Sequence, residues 1–155
     1  MIGHERELTE SGTLEHARAM APGELTFRLP YEYEGQELAM FLRLLRPHSV
    51  TRSPRIVLYV HGATFRSALS IAHRFDGRSW RDALAEAGYH VWGLDFLGYG
   101  ESSRYPGMNG SAEGHEPLDQ ADEGARQIEA AVGFMRQYHR GHSGACEPPG
   151  AGVLG

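Results

Sequence analysis

Cysteine is nearly absent: Cys146 stands alone among 155 residues. A single thiol excludes an internal disulfide and fits a reducing compartment. Long apolar runs are missing as well, and none approaches the ~20 residues of a membrane-spanning helix. Residues 1–20 mix Glu, Arg and His with few apolar side chains, which excludes a secretory signal. Positive charge is scarce. The net charge is −5 with no basic cluster, so nucleic acid and anionic membrane are not expected partners. Internal repeats and low-complexity tracts are also lacking. What remains is the composition of a soluble cytoplasmic protein, with length for one domain and 41% apolar residues to build its core.

The apolar pattern divides the chain. Residues 1–23 form a polar lead-in, 24–140 a domain, and 141–155 a Gly- and Pro-rich tail without periodicity. Leu25, Phe27 and Leu29 alternate with Thr26 and Arg28, the period of a half-buried strand, and Pro30 is expected to close it. Leu38 to Leu45 is more apolar and is expected to pair with it as a hairpin across Glu34-Gly35-Gln36, with Pro47 as terminator. Ile56 to Val60 is apolar at every position, as in a strand covered on both faces.

Ser79 opens a helix, with Asp82 three residues on as the acidic partner of a capping box. Trp80, Ala83, Leu84 and Ala87 fall on one face, and Gly88 supplies the stop. A strand over His90 to Leu94 follows, then a loop over 101–117 with turns at Pro106-Gly107 and Asn109-Gly110. The steps between Leu118, Ala121, Ala125, Ile128, Val132 and Met135 predict a long helix with one apolar stripe. Strand, helix, strand, helix after a hairpin gives an α/β class: an antiparallel start, then parallel strands joined by crossovers.

Two loops carry the chemistry. Ile56 to Val60 runs into His61-Gly62-Ala63-Thr64, and Val91 to Leu94 runs into Asp95-Phe96-Leu97-Gly98-Tyr99-Gly100-Glu101-Ser102. The second loop resembles the D-x-[RP]-G-x-G-x-S loop of α/β-hydrolases, with Leu97 where Arg or Pro is usual. Together the loops make residues 25–140 resemble the N-terminal half of that family, ending before the nucleophile elbow. The resemblance implies that His61, Gly62, Asp95, Gly98, Gly100 and Ser102 are structural motif residues. It also implies that Ala63, with Thr64 helping through amide or hydroxyl, supplies an oxyanion hole, with Gly62 allowing a sharp turn off the strand. Two plainer readings stand beside these. His61-Gly62 can simply end a strand, and Gly98-x-Gly100 can belong to a dinucleotide loop. The latter lacks its third glycine, because position 103 is Ser.

The nucleophile of such enzymes sits in Gly-x-Ser-x-Gly between a strand and a helix. The near match here, Gly141-His142-Ser143-Gly144-Ala145, follows an expected helix and precedes Pro148-Pro149, so Ser143 reads as a loop serine. His139 and His142 have no carboxylate or thiolate around them and read as solvent-exposed, with no metal implied. Family chain order puts serine, acid and histidine late, so Asp95, Asp119 and His115 are not assigned to a triad. Read one base later, codons for 146–155 can spell Ala-Ser-Arg-Leu-Val-Leu-Ala-Tyr-Ser-Gly, a strand leading into an elbow. The tail therefore suggests a truncated or frameshifted gene, which the coding DNA decides.

The implied activity is that of a serine hydrolase on an ester, thioester or similar bond of a small or lipid-like substrate, with no cofactor. This chain is expected to be inactive, with no catalytic residue assigned. The alternative is a non-catalytic binding module that keeps the cleft. The loop from Phe65 to Phe75 either lines that cleft or packs on the domain. In the family the strand before His61 is central, so its outer edge is expected to be bare here and to drive self-association.

Overall fold

A computed structural model describes residues 20–49, 55–110 and 120–142. Four strands, β1 (Leu25–Tyr33), β2 (Gln36–Leu45), β3 (Arg55–Val60) and β4 (Tyr89–Asp95), form one sheet in the order β1-β2-β4-β3. Helix α1 (Trp80–Glu86) makes the crossover from β3 to β4, and helix α2 (Ala121–His142) follows β4. The sheet is the hairpin-then-parallel arrangement of an α/β fold.

The hairpin is set by its two-residue turn. Glu34 and Gly35 have φ of 48° and 75°, the left-handed pair that matches the twist of the flanking strands. Contrary to expectation, Pro30 does not close β1, which continues through it to Tyr33. β1 is an end strand of the sheet, so the missing N–H can point outward at no cost in ladder bonds. β2 and β4 are internal, and Met40 to Leu45 and Val91 to Asp95 are buried without alternation. β3 departs from its expected covering. It ends the described sheet, and Ile56 and Val60 are 41% and 36% exposed.

Cα packing groups residues up to Leu25 with Arg43–Gly93 in one unit, and Thr26–Leu42 with Leu94 onward in another. In the first unit, Leu45, Ala68, Ile71, Ala72, Ala85 and Val91 form the apolar core, and Val57 and Tyr59 pack on it. Ser79 caps α1 as expected: its hydroxyl accepts the Asp82 N–H, and the Asp82 carboxylate accepts the Ser79 N–H at 2.8 Å. Of the expected face only Leu84 packs on the core, while Ala83 and Ala87 are exposed. Trp80 is 78% exposed, and Arg81 and Ala85 turn inward. The cause is Glu24, whose carboxylate takes Arg81 at 2.6 Å and Arg43 at 3.3 Å, all three side chains being fully buried. A buried ion triad has no signature in an apolar count. Glu24 also accepts the Ala21 N–H at 2.8 Å, and Arg74 donates to the Met20 carbonyl at 3.1 Å.

In the second unit, α2 buries the row Glu123, Gln127, Ala131, Met135 and His139 at steps of four. This corrects the expected stripe. Met135 is buried and Ile128 and Val132 are half-buried, but Ala121 and Ala125 face solvent, and Leu118 lies outside the described residues. The helix is turned because β1 and the loop after β4 offer polar partners. Tyr31 donates to Glu123 at 2.7 Å, and Gln127 donates to the Tyr105 hydroxyl at 2.7 Å. Phe27 packs edge-on against Phe134 and Tyr138. The expectation for the two histidines is half right. His142 is exposed and stacked on Tyr138, whereas His139 is buried at the end of the inward row.

Candidate functional site

The first loop leaves β3 at Val60 within the first unit. His61 is buried, and its Nδ1–H donates to the Gly62 carbonyl at 2.7 Å, pinning the ring over the start of the loop. Gly62, Ala63, Thr64 and Phe65 are exposed. Among the described residues, no hydrogen bond engages the Ala63 or Thr64 N–H. The two amides at Ala63 and Thr64 thus belong to an exposed loop that leaves the end of a strand. The reason given for Gly62 needs correcting. Its φ is not in the left-handed region, and a Cβ there would meet nothing within 4 Å. The position is open space, not a sterically forced turn.

The chain then makes a single 3-10 turn at Ser67–Leu69 and buries Ser67, Ala68, Ile71 and Ala72. Phe65 and Phe75, the ends of the expected wall, are 58% and 74% exposed. The middle of this loop packs on the core, while its ends do not.

The second loop leaves β4 at Asp95 within the second unit. The Asp95 carboxylate is fully buried and accepts the Glu101 N–H at 3.2 Å, closing the loop on itself. The Ser102 hydroxyl donates to the Asp95 carbonyl and accepts the Phe41 N–H at 2.7 Å. Ser103 continues the stitching. Its N–H donates to the Ala39 carbonyl at 2.8 Å, and its hydroxyl accepts the Ala39 N–H at 3.0 Å. Gly98 has φ of 86°, and a Cβ on it would come within 3.0 Å of the Met108 sulfur, so the position is doubly restricted. No helix opens here, only a turn and a 3-10 segment at Pro106–Asn109, which removes the dinucleotide reading. Leu97 is fully buried, and its N–H donates to Gln127 at 2.9 Å.

Electrostatics in this unit centre on Glu123. Burial pushes its carboxyl up, but hydrogen bonds from Tyr31, Arg126 and Gln127 outweigh that and hold it below the usual range. Tyr31 moves the other way. Burial and then the Glu123 carboxylate push its phenol up to about 12. Sequence reading missed this network and the Glu24 triad. Glu123 and Gln127 four apart on the buried side of a helix were the available signal for the former.

Ser143, His115 and Asp119 lie outside the described residues. Helix α2 runs unbroken to His142, so a helix occupies the place where a nucleophile elbow needs a strand. Among the described residues no group of three or more His, Cys, Asp or Glu could hold a metal. No described helix is long and apolar enough to cross a membrane.

No family model matches the chain, and no curated protein matches it. Among solved structures it is similar to a probable hydrolytic enzyme from Pseudomonas aeruginosa PAO1, at 22% identity and a TM-score of 0.51. That match covers 72% of this chain and 30% of the other. It is also similar to a thioesterase domain from the curacin biosynthetic pathway, at 18% identity and a TM-score of 0.46, over 71% of this chain and 33% of that one. The first likeness, with the strand order and the two loops, gives the chain an α/β-hydrolase-like fold. The chain spans well under two-thirds of either solved chain.

Proposed function

We propose that these residues are the front half of a serine hydrolase acting on an ester, thioester or similar bond of a small or lipid-like substrate. Ala63 supplies an oxyanion-hole amide, and Thr64 reinforces it. The observation that carries the reading is the pair of unengaged N–H groups at Ala63 and Thr64, exposed at the end of β3 in a hydrolase-like fold. In such chemistry a serine attacks the carbonyl, a histidine moves the proton, and an acid orients the histidine. The hole stabilises the negative oxygen that forms, a contribution of about 3 kcal/mol per donor.

The 155-residue chain has the hole side without the triad, and we propose that it does not turn over. Asp95 is committed to its own loop, and Ser143 follows a helix. The setting is the cytoplasm, where Cys146 stays a thiol. A fluorophosphonate probe, which phosphonylates activated serines with loss of fluoride, tests the reading. The 155-residue chain is expected to stay unlabelled, and the product of the gene read one base later over 146–155 is expected to label. Labelling of the 155-residue chain at Ser143 overturns the proposal. Failure of both leaves the non-catalytic binding module as the surviving reading.

A further inference from the structure

The glycine turn after β4 is covered by a thioether. Gly98 has φ of 86°, and its N–H donates to the Ser103 carbonyl at 2.8 Å, which closes the turn. A Cβ on Gly98 would lie 3.0 Å from Met108 Sδ, 3.3 Å from Met108 Cε and 3.4 Å from Tyr105 Cδ2. The end of the Met108 side chain therefore fills the space that a side chain at 98 would need. Tyr105 beside it is buried, its hydroxyl accepts from Gln127 at 2.7 Å, and its ring packs edge-on against Tyr33. Met108 is the outer member of this cluster. It sits on the 3-10 segment Pro106–Asn109 and is 39% exposed. The other described methionines are less open to water: Met40 and Met135 are buried, and Met20 is half-buried.

We propose that Met108 is a site of reversible oxidation by peroxides, and that its sulfoxide loosens the turn at Gly98. A thioether is a soft, polarizable group, and an exposed one is oxidised ahead of those kept from water. A sulfur lone pair takes one oxygen of hydrogen peroxide as the O–O bond breaks. Sulfur is oxidised by two electrons and the peroxide is reduced. The hydroxide that leaves takes up the proton of the transferred oxygen and departs as water. The product fits the site badly. An apolar group pressed on a glycine and a tyrosine ring becomes a polar, chiral one, and its oxygen is costly wherever it cannot be hydrated. The sulfoxide therefore turns to solvent, and Gly98 loses its cover. Having no side chain, Gly98 cannot refill the gap. Water reaches the turn, and the Gly98–Ser103 hydrogen bond opens more often.

The full 155-residue chain carrying Cys146→Ser, which leaves methionine as the reactive sulfur, is treated with hydrogen peroxide and mapped by peptide mass spectrometry. Met108 is expected to gain one oxygen ahead of Met20, Met40 and Met135. In the oxidised chain, hydrogen exchange at the Gly98 amide is expected to rise at least about tenfold, while the Ala131 amide in the middle of α2 keeps its rate. A methionine sulfoxide reductase with dithiothreitol is expected to restore the starting rate. Met108→Leu keeps an apolar cover that peroxide cannot oxidise, so exchange at Gly98 is expected to start slow and to stay slow. Met108→Gln puts a polar group there and is expected to show the fast rate without oxidant. Oxidation of Met20, Met40 or Met135 ahead of Met108 overturns the proposal. So does unchanged exchange at Gly98 once Met108 is oxidised, a change the reductase does not reverse, or equal acceleration in the Met108→Leu variant. A slow Met108→Gln variant counts against it in the same way, and so does acceleration that reaches Ala131 equally, which is global unfolding and not a turn that opens.

Discussion

The Leu97 N–H and the Gln127 side-chain oxygen meet at 2.9 Å with both residues fully buried. The same Gln127 amide donates to the Tyr105 hydroxyl and to Glu123. One side chain therefore ties the loop after β4 to the long helix. Gln127→Leu keeps the volume but leaves the Leu97 N–H buried without its acceptor, at a cost of about 2–3 kcal/mol. Chemical denaturation of the variant against the parent measures it, and Gln137→Leu on the exposed side of the helix is expected to change little.

Glu24 places one fully buried carboxylate against both Arg43 and Arg81. Glu24→Gln removes the charge that Arg43 and Arg81 share and is expected to destabilise by about 3–5 kcal/mol. Replacing the whole triad by apolar residues of similar volume is expected to cost far less than the single change. That reversal, read from urea midpoints, separates the penalty of an orphaned charge from the worth of the pair.

Stability is expected to fall at both ends of the pH scale. The Glu123 carboxyl lies below its ordinary 4.5 and the Asp82 carboxyl below 3.8 in the folded chain. For Asp82, burial pushes upward, but hydrogen bonds from Ser79 and the Arg74 guanidinium prevail. A depressed carboxyl stabilises fully above its unfolded value and loses that contribution as pH drops through the folded one, so the acid limb begins near pH 4–5. Tyr31 has the opposite sign. Its phenol rises from 10.0 to about 12, so its contribution is complete below pH 10 and drains away between 10 and 12. Glu123→Gln is expected to flatten the acid limb and to bring the Tyr31 absorbance titration back toward 10.

Trp80 is 78% exposed and Trp92 is fully buried. Trp80→Phe is expected to leave stability within about 0.5 kcal/mol of the parent while removing the red-shifted, iodide-quenchable part of the fluorescence. Quenching that survives the substitution would place Trp92 at the surface instead.

Purified 155-residue chain is expected to hydrolyse p-nitrophenyl esters no faster than its histidines do as free imidazole. Loss of a triad nucleophile alone costs about 10⁶ in turnover. Ser143→Ala is expected to change nothing. A fast rate abolished by that substitution would show an elbow at Ser143.

Sequence reading succeeded where a single local signal governs the outcome. The hairpin around Glu34-Gly35, whose turn is one residue shorter than the expected Glu34-Gly35-Gln36, the Ser79 cap and the two loops after apolar strands were legible, since each depends on a few neighbouring residues. Helix rotation was not. Arg81 and Gln127 point inward because Glu24 and Leu97, far away in sequence, supply partners, and an apolar periodicity cannot see them. Pro30 misled for a related reason: whether proline ends a strand depends on which strand it sits in, a matter of topology. At the site, the places of Asp95, Gly98 and Ser102 in their loop were readable from the motif. The stitching of Ser102 and Ser103 to β2 was not.

That stitching has a kinetic side. Ala39 and Ser103 exchange two hydrogen bonds across 64 positions of chain, and Phe41 and Ser102 share one across 61. The loop closes on itself through Asp95 and Glu101, but its anchors at Ala39 and Phe41 belong to a hairpin made much earlier in the sequence. Closing so long a span is entropically slow and is rewarded only once both ends are in place. The hairpin turn can form by itself in microseconds, whereas the loop must wait for β4 to dock. The stitched end of this loop is thus expected to take its shape after the hairpin and to lose it when β2 frays.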